Sequence, residues 1–138
     1  MSTMTKEYVN VGEFLKSLDD TIAEYRKTLG ELLRRMEELR IKSEQENKLK
    51  SILSKLGVSH GAPSNEINLK NVKILVNPLP QQELTSLEAA VEALNNKITL
   101  LTSIRKDLDA LTGLGDAGLK IIVVYVDDIP RNIILKFA

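Results

Sequence analysis

The sequence predicts an α+β protein in which a long antiparallel, coiled-coil-like helical hairpin carries a small three-stranded sheet. Two predicted helices, 11–56 and 80–112, contain runs, 11–39 and 84–101, in which apolar residues repeat at alternating steps of four and three. That heptad spacing is typical of helices that pack side by side at a shallow angle. Two further stretches, 67–77 and 119–137, are alternating or rich in β-branched residues, which favours strands. The 138 residues are enough for one domain, and we expect a single domain spanning 1–138.

The first helix has the most regular pattern in the chain. Asn10 and Glu13 have the spacing of a capping box, which predicts where the helix begins. A polar run, 42–48, interrupts the repeat without a helix-breaking residue, so the helix is expected to continue to Gly57. Because the stripe needs a facing surface, its residues are the candidate interface with a partner. They are Leu15, Leu18, Ile22, Tyr25, Leu29, Leu32, Met36 and Leu39.

The spacing of apolar residues also predicts the structure of the segment between the helices and of the second helix. The alternation in 67–77 changes parity midway, which indicates one strand with a bulge or a very short hairpin. Pro80 suits the first turn of a helix, where its missing N–H needs no partner, and Gly113 ends the helix. The second heptad stripe consists of Leu84, Leu87, Val91, Leu94, Ile98 and Leu101.

The C-terminal stretch, 119–137, is predicted to be a β-hairpin. Residues 119–126 show little alternation, which is typical of a strand covered on both faces. The next segment, 127–132, contains proline and is interpreted as the turn, with 133–137 as the returning strand. The last residues loosely resemble a sliding-clamp-binding peptide but lack its leading glutamine and its two terminal aromatics. An edge strand is therefore the favoured interpretation.

Composition excludes several kinds of site. The chain has no cysteine, which excludes disulfides, thiolate catalysis and cysteine-ligated metals. His60 is the only histidine and is interpreted as an exposed loop residue, because a catalytic or metal site needs a convergent set of groups. No apolar run approaches the roughly 18 residues of a membrane span. No signal peptide is recognised, so we expect a cytoplasmic protein without membrane contact.

Two short motifs have the letters of binding sites but favour structural explanations. Gly113, Gly115 and Gly118 match the dinucleotide fingerprint, which follows a strand and opens a helix. Here a predicted helix precedes the glycines and a strand follows them. Asp127 and Asp128 would offer carboxylates to a divalent cation, yet the same residues suit a turn. We therefore predict no cofactor, no metal site and no enzyme activity.

Charge is segregated along the chain although the formal net charge is zero. Residues 26–73 contain eleven basic and six acidic side chains. Such an excess attracts phosphate groups, but interspersed acids and missing aromatics favour a solvated helix surface with intrahelical ion pairs. The possible phosphate contacts are Arg34, Arg35, Arg40, Lys42, Lys48 and Lys50.

These patterns together favour a non-enzymatic interaction or assembly protein. A helical hairpin with few strands buries little apolar surface, so we expect association with a second copy or with another helical protein. One alternative is a nucleic-acid-associated accessory subunit that uses 26–73, and a weaker one is an enzyme whose carboxylates meet only in an oligomer. The layout also resembles hairpin chaperones of the prefoldin type, which would imply a holdase. That family places its strands between the helices, whereas here two strands follow the second helix.

Overall fold

A computed structural model describes residues 3–57, 65–114 and 118–137, and its fold class is the predicted α+β. The second helix packs against the first, as the two heptad stripes predict. The helices are α1 (Val11–Lys55) and α2 (Pro80–Asp107), followed by a 3-10 helix (Leu108–Leu114). The strands are β1 (Met4–Tyr8), β2 (Glu66–Asn68), β3 (Lys73–Leu75), β4 (Leu119–Val126) and β5 (Ile129–Phe137).

The chain divides into two compact units, and both long helices contribute to each of them. Unit 1 comprises Met1–Leu29 and Ala93–Ala138, and unit 2 comprises Gly30–Glu92. Unit 1 therefore contains the terminal strands, while unit 2 contains the segment between the helices. The single domain expected from the sequence stays a prediction, which depends on whether the two units unfold together.

The ends of α1 follow the sequence signals. The backbone N–H of Glu13 donates to Oδ1 of Asn10 at 2.8 Å, which confirms the helix cap. The helix continues through the polar run 42–48 without a break, as predicted. Gly57 has a φ of 80°, a left-handed conformation that glycine adopts without strain at the end of a helix.

Each unit contains a core made by the heptad stripes. In unit 1, two residues of α1 pack with residues of α2 and β5. They are Leu18 and Ile22, which contact Leu101 of α2 and Ile129, the first residue of β5. In unit 2, Met36 and Leu39 pack with the α2 stripe. Ser43 occupies a stripe position but is buried, and its hydroxyl donates to Gln81 Oε1 at 3.0 Å. That hydrogen bond satisfies a polar group that would otherwise be costly to bury.

The three-stranded sheet is antiparallel, in the order β1-β4-β5. Its third strand is β1 and not 67–77, which forms a separate hairpin of β2 and β3 in unit 2. Of the two structures that the parity change allowed, the short hairpin is therefore correct. β1 was not expected from the sequence, because 4–8 contains two charged residues and its strand conformation depends on pairing with β4.

The turn between β4 and β5 is shorter than predicted. Asp127 and Asp128 have φ values of 51° and 66°, as a two-residue hairpin turn of the mirror-image type requires. The turn interpretation of this pair is confirmed, but the extension of the turn to residue 132 is wrong. Pro130 lies within β5, opposite Tyr125, where the register shifts. A strand at the edge of a sheet tolerates the missing N–H of proline.

The sheet buries one face only. Side chains alternate along β4, so that Ile121, Val123 and Tyr125 are buried against the helical side. Ile122 and Val124 lie on the other face and are only partly buried. The prediction that this strand is covered on both faces is therefore wrong for the part of a single chain that the structure describes.

Candidate functional site

The predicted partner interface on α1 lies mostly inside the protein's own cores. Five of its eight residues are less than 8% exposed, and the other three are partly buried. The five are Leu15, Leu18, Ile22, Met36 and Leu39. Since the chain covers this part of the stripe itself, a partner that binds the folded chain has to contact other surfaces. Association of chains is still expected, but its surface has to be sought elsewhere.

Two of the six candidate phosphate contacts already bind carboxylates within unit 2. An Nη of Arg35 lies 2.9 Å from Glu83 Oε1, and this hydrogen bond is the main reason that the pKa of Arg35 is raised. Arg40 forms an ion pair with Glu37, one helical turn away. The remaining four, Arg34, Lys42, Lys48 and Lys50, are exposed on α1.

The turn aspartate that was considered as a cation ligand instead binds groups of its own unit. The hydroxyl of Tyr25 donates to Asp128 Oδ2 at 2.9 Å, and Nζ of Lys97 lies 3.7 Å from the same oxygen. Burial, followed by the hydrogen bond to Asp128, raises the pKa of Tyr25 to about 12. Burial alone would raise the pKa of Asp128, but hydrogen bonds and positive charges around the carboxylate outweigh this and lower it. The cluster attaches the β4–β5 turn to the two helices of unit 1.

A second polar cluster lies under the sheet. The hydroxyls of Tyr8 and Tyr125 are 2.5 Å apart, and the hydroxyl of Tyr8 is also 3.2 Å from Ser17 Oγ. Burial and the hydrogen bond to Tyr8 raise the pKa of Tyr125 above its usual value. A phenol that holds its proton so tightly is a poor general base at neutral pH. The sequence contains no local signal for this cluster, because its two tyrosines are 117 positions apart.

Next to this cluster, β1 and α1 line an open groove of about 600 Å³ in unit 1. The groove presents charges of both signs, with Lys6 and Lys16 beside Glu7, Asp20 and two further carboxylates. In the described residues no group of three or more histidine, aspartate or glutamate side chains is placed to hold a metal ion.

A more distinctive surface is the exposed apolar face of the β2–β3 hairpin in unit 2. Ile67 lies opposite Ile74, and the N–H of Leu69 donates to the carbonyl of Val72 at 2.9 Å. Directly opposed residues and every second residue share a face, which collects five apolar side chains on one side. We call this surface the hairpin face. Its side chains, between 43% and 59% exposed, are Ile67, Leu69, Val72, Ile74 and Val76.

The position of the hairpin is set by polar contacts with the start of α2. Asn65 and Gln82 exchange two amide hydrogen bonds of 2.8 Å, and the N–H of Leu79 donates to the same glutamine at 2.9 Å. Leu75, on the side opposite the hairpin face, is partly buried near α2. On that side only Leu75 is partly buried, whereas Glu66, Asn68 and Lys73 are exposed, so the hairpin leaves its apolar face in contact with solvent.

Two further apolar surfaces are exposed, one in each unit. The stripe of α1 resumes after the polar run, and Leu49, Ile52 and Leu56 are all more than half exposed. In unit 1, β5 forms an edge of the sheet, with Leu135 at 40% and Phe137 at 89% exposure. Large exposed apolar side chains that are grouped together mark interaction surfaces more often than isolated ones do.

Two other sequence interpretations can be compared with the structure. The first glycine of the dinucleotide-like motif follows α2 in the 3-10 helix, and the last, Gly118, has a φ of 70° directly before β4. A helix before the motif and a strand after it are confirmed, whereas Gly115 and His60 lie outside the described residues. Within the described ranges, neither long helix is apolar over enough residues to cross a bilayer.

Comparison of the chain with protein-family models, with curated proteins and with solved structures finds no match. Function is therefore inferred from the chain's own residues. Among these, the polar clusters have structural explanations, because each attaches a turn or a strand to a helix. The exposed apolar surfaces have no such explanation within their own units.

Proposed function

We propose that the protein is a non-enzymatic interaction and assembly protein of the cytoplasm, which acts as a homo-oligomer through its helices and small sheet. The observation that carries this proposal is the hairpin face. Its five aliphatic side chains are each about half exposed and together present on the order of 400 Å² of apolar surface, the size of the largest apolar patch on a typical monomer, which is often a binding surface. Contact with a second chain would remove this surface from water.

The chemistry of the polar clusters supports an interaction protein rather than an enzyme. The pKa values of Tyr25 and Tyr125, one in each cluster, are raised, so these phenols are poorly suited to proton transfer at neutral pH. The adjacent groove is open and has charges of mixed sign. An enzyme pocket commonly encloses its ligand and aims a few polar groups at it.

The mass of the purified protein across a concentration series tests the proposal. Light scattering is expected to give a mass of two chains or more at micromolar concentration. Ile74→Lys, which places a charge on the hairpin face, should lower that mass. Asn68→Lys is the matched control, because this exposed residue belongs to the same hairpin but lies on its other side.

Both lysine variants should keep the helical circular dichroism of the wild type, since both positions are exposed in the single chain. A wild-type protein with the mass of one chain at every concentration would contradict the homo-oligomer. An oligomer whose mass is unaffected by Ile74→Lys would exclude the hairpin face as the contact surface.

A holdase is the second candidate, and the same surface favours it. An exposed apolar face is able to bind unfolded segments of other proteins, provided that no second copy covers it. The wild type should then suppress aggregation of a heated test enzyme, and Ile74→Lys should suppress it less than Asn68→Lys. Equal suppression by the two variants would argue against this function.

A further inference from the structure

The outer edge of β5 in unit 1 is an open pairing surface for a strand. We propose that two copies of this chain join through β5, antiparallel about a two-fold axis at Ile134, to form a continuous six-stranded sheet. This inference rests on the proposed function, and it names a second contact between chains, in addition to the hairpin face. The occupant of the edge is a second copy of the chain.

The edge is open because β5 pairs on one side only. In the described residues its ladder partner is β4, so its opposite side presents backbone N–H and C=O groups without a strand partner. Residues 132–137 pair regularly with β4, and the register shift, which leaves Arg131 without a partner in β4, lies beside Tyr125 at the turn end of the sheet. A regular edge of this length is a template for another strand.

The two edges of the sheet differ in how well they resist such pairing. β1 has five residues, and Lys6 and Glu7 place charges of both signs along it. β5 has nine residues and contains the run Ile133–Leu135, in which the last two are 40% exposed. Short length and charge protect natural edge strands from pairing with other chains. β5 has less of this protection, which favours it as the contact strand.

A symmetric register centred on Ile134 suits the side chains of β5. It uses all seven residues after Pro130 and places residue 133 opposite residue 135 of the other copy. It also places Arg131 opposite Phe137, where the guanidinium can lie over an aromatic ring that is 89% exposed. Lys136 lies opposite Asn132, so that no two like charges face each other.

Neighbouring symmetric registers are less favourable. An axis at Lys136 would place two ammonium groups opposite each other, and an axis at Arg131 would do the same with two guanidinium groups. An axis at Ile133 or Leu135 shortens the pairing or brings Pro130 into it. Charge and strand length together select the register centred on Ile134 and make the edge self-complementary.

The outer face of the sheet would be continuous across the axis. Ile134 lies opposite Ile122 in the sheet of its own chain, so the two side chains share the exposed outer face. Pairing would bring the two copies of Ile134 together beside this patch. The contact involves one strand from each chain and is small, so we expect a reversible dimer in the micromolar range.

Disulfide formation tests the register directly, because the native chain has no cysteine. Opposed residues of antiparallel strands have Cα atoms about 4.5–5.5 Å apart, within the range of about 4.4–6.8 Å for disulfides. Ile134→Cys should therefore form covalent dimers under mild oxidation. Thr5→Cys is the control, because it is an exposed residue of the other edge strand.

A mixing experiment separates this register from accidental collision. Asn132→Cys and Lys136→Cys should each fail to form dimers alone, since each is about 13 Å from its own copy along the strand. An equimolar mixture should form the mixed disulfide, because the two positions are opposite each other in the proposed register. Efficient dimers of either variant alone would overturn the register.

A charge at the axis tests the dimer without oxidation. Ile134→Lys places two ammonium groups opposite each other and should weaken the dimer at least about tenfold in Kd. Thr5→Lys on the same outer face should leave Kd unchanged. Circular dichroism of both variants is expected to match the wild type, because both positions are exposed.

The outcomes separate this inference from the proposed function. Oligomers by light scattering, with Ile134→Cys cross-linking no faster than Thr5→Cys, would overturn the β5 dimer and leave the assembly function in place. A wild type that stays monomeric, together with an Ile134→Cys variant that cross-links no faster than Thr5→Cys, would overturn both. Oligomers that cross-link at residue 134 and pass the mixing experiment would support both.

Discussion

The two compact units use one and the same heptad stripe of α1 but bury it to different extents. In unit 1 the helices face a sheet, and eleven of the described residues form two buried clusters. In the described part of unit 2 the helices pack against each other, and three residues form the buried cluster. The comparison shows that a regular stripe does not by itself determine the size of a core, because burial also requires a wide facing surface.

Besides its small apolar cluster, unit 2 has polar contacts between its elements. Gln81 and Gln82 hold Ser43 and Asn65, and Arg35 binds Glu83. Hydrogen bonds and exposed ion pairs of this kind each add little net stability. We therefore expect unit 2 to open more easily than unit 1, and the following predictions test that difference.

The largest expected effect is the loss of Phe14, which is 1% exposed in the core of unit 1. Phe14→Ala should lower the free energy of unfolding by about 3–5 kcal/mol, because the closely packed sheet cannot collapse into the cavity. Leu39→Ala, at 2% exposure in unit 2, should cost roughly 2–3 kcal/mol, the low end for leucine, since its thin cluster can relax. Denaturant unfolding of both variants measures the two losses.

Two spectroscopic signals separate the units in that experiment. All three tyrosines belong to unit 1, so tyrosine fluorescence follows this unit, whereas far-ultraviolet circular dichroism follows the helices of both. Leu39→Ala should move the part of the dichroism curve at low denaturant to still lower concentrations. It should leave the midpoint of the fluorescence curve nearly unchanged. If the two signals coincide in every variant, the chain is one cooperative domain and the proposed difference between the units is wrong.

A smaller loss is expected from the hydroxyl cluster of unit 1. Tyr8→Phe should cost about 1–3 kcal/mol, because it removes a buried hydroxyl and leaves that of Tyr125 without this partner. Ser17→Ala should cost less, since Ser17 is only partly buried and its hydroxyl contacts Tyr8 at the longer distance of 3.2 Å. If the two variants lose equal stability in thermal unfolding, the buried contact between the tyrosines contributes no more than the contact between Tyr8 and Ser17.

The Tyr25–Asp128 contact predicts a dependence on pH. The pKa of Tyr25 is raised from 10.0 to about 12, so its contribution is fully present below pH 10 and is lost as pH rises through 12. The pKa of Asp128 is lowered, so its contribution is lost as acid brings the pH below the usual value of 3.8. Stability measured across pH should show both losses in the wild type. In Tyr25→Phe, the part of the stability loss at alkaline pH that is due to this tyrosine should disappear. The same alkaline loss in Tyr25→Phe as in the wild type would show that Tyr25 does not cause it.

The smallest expected effect concerns nucleic acid and the basic surface of unit 2. Six phosphate contacts would give a slope of roughly −5 for log affinity against log salt on duplex DNA. Because Arg35 and Arg40 already bind carboxylates, we expect weak binding with a slope of about −1 to −2. Titration with duplex and single-stranded nucleic acid over a salt series measures it. Tight binding with a steep slope would favour the accessory-subunit alternative.

Local signals were sufficient to predict the helices and the C-terminal hairpin. The cap at Asn10, the proline at the start of α2 and the glycine after α1 each act within a few residues, so their consequences can be predicted without a fold. The heptad repeat is also local and correctly predicted that the stripes of α1 and α2 would be buried. It did not determine whether the same chain or a second chain covers them.

Pairing across long separations was decided by the tertiary structure alone. β1 pairs with β4 across more than a hundred residues, and neither the strand nor the Tyr8–Tyr125 contact has a signal near it in the sequence. Once this sheet covers the helix ends, the stripe of unit 1 is buried within its own chain. The hairpin face and the edge of β5 are then among the apolar surfaces left exposed in the described residues, because the sequence sets which residues are apolar and the fold sets which of them face a neighbour.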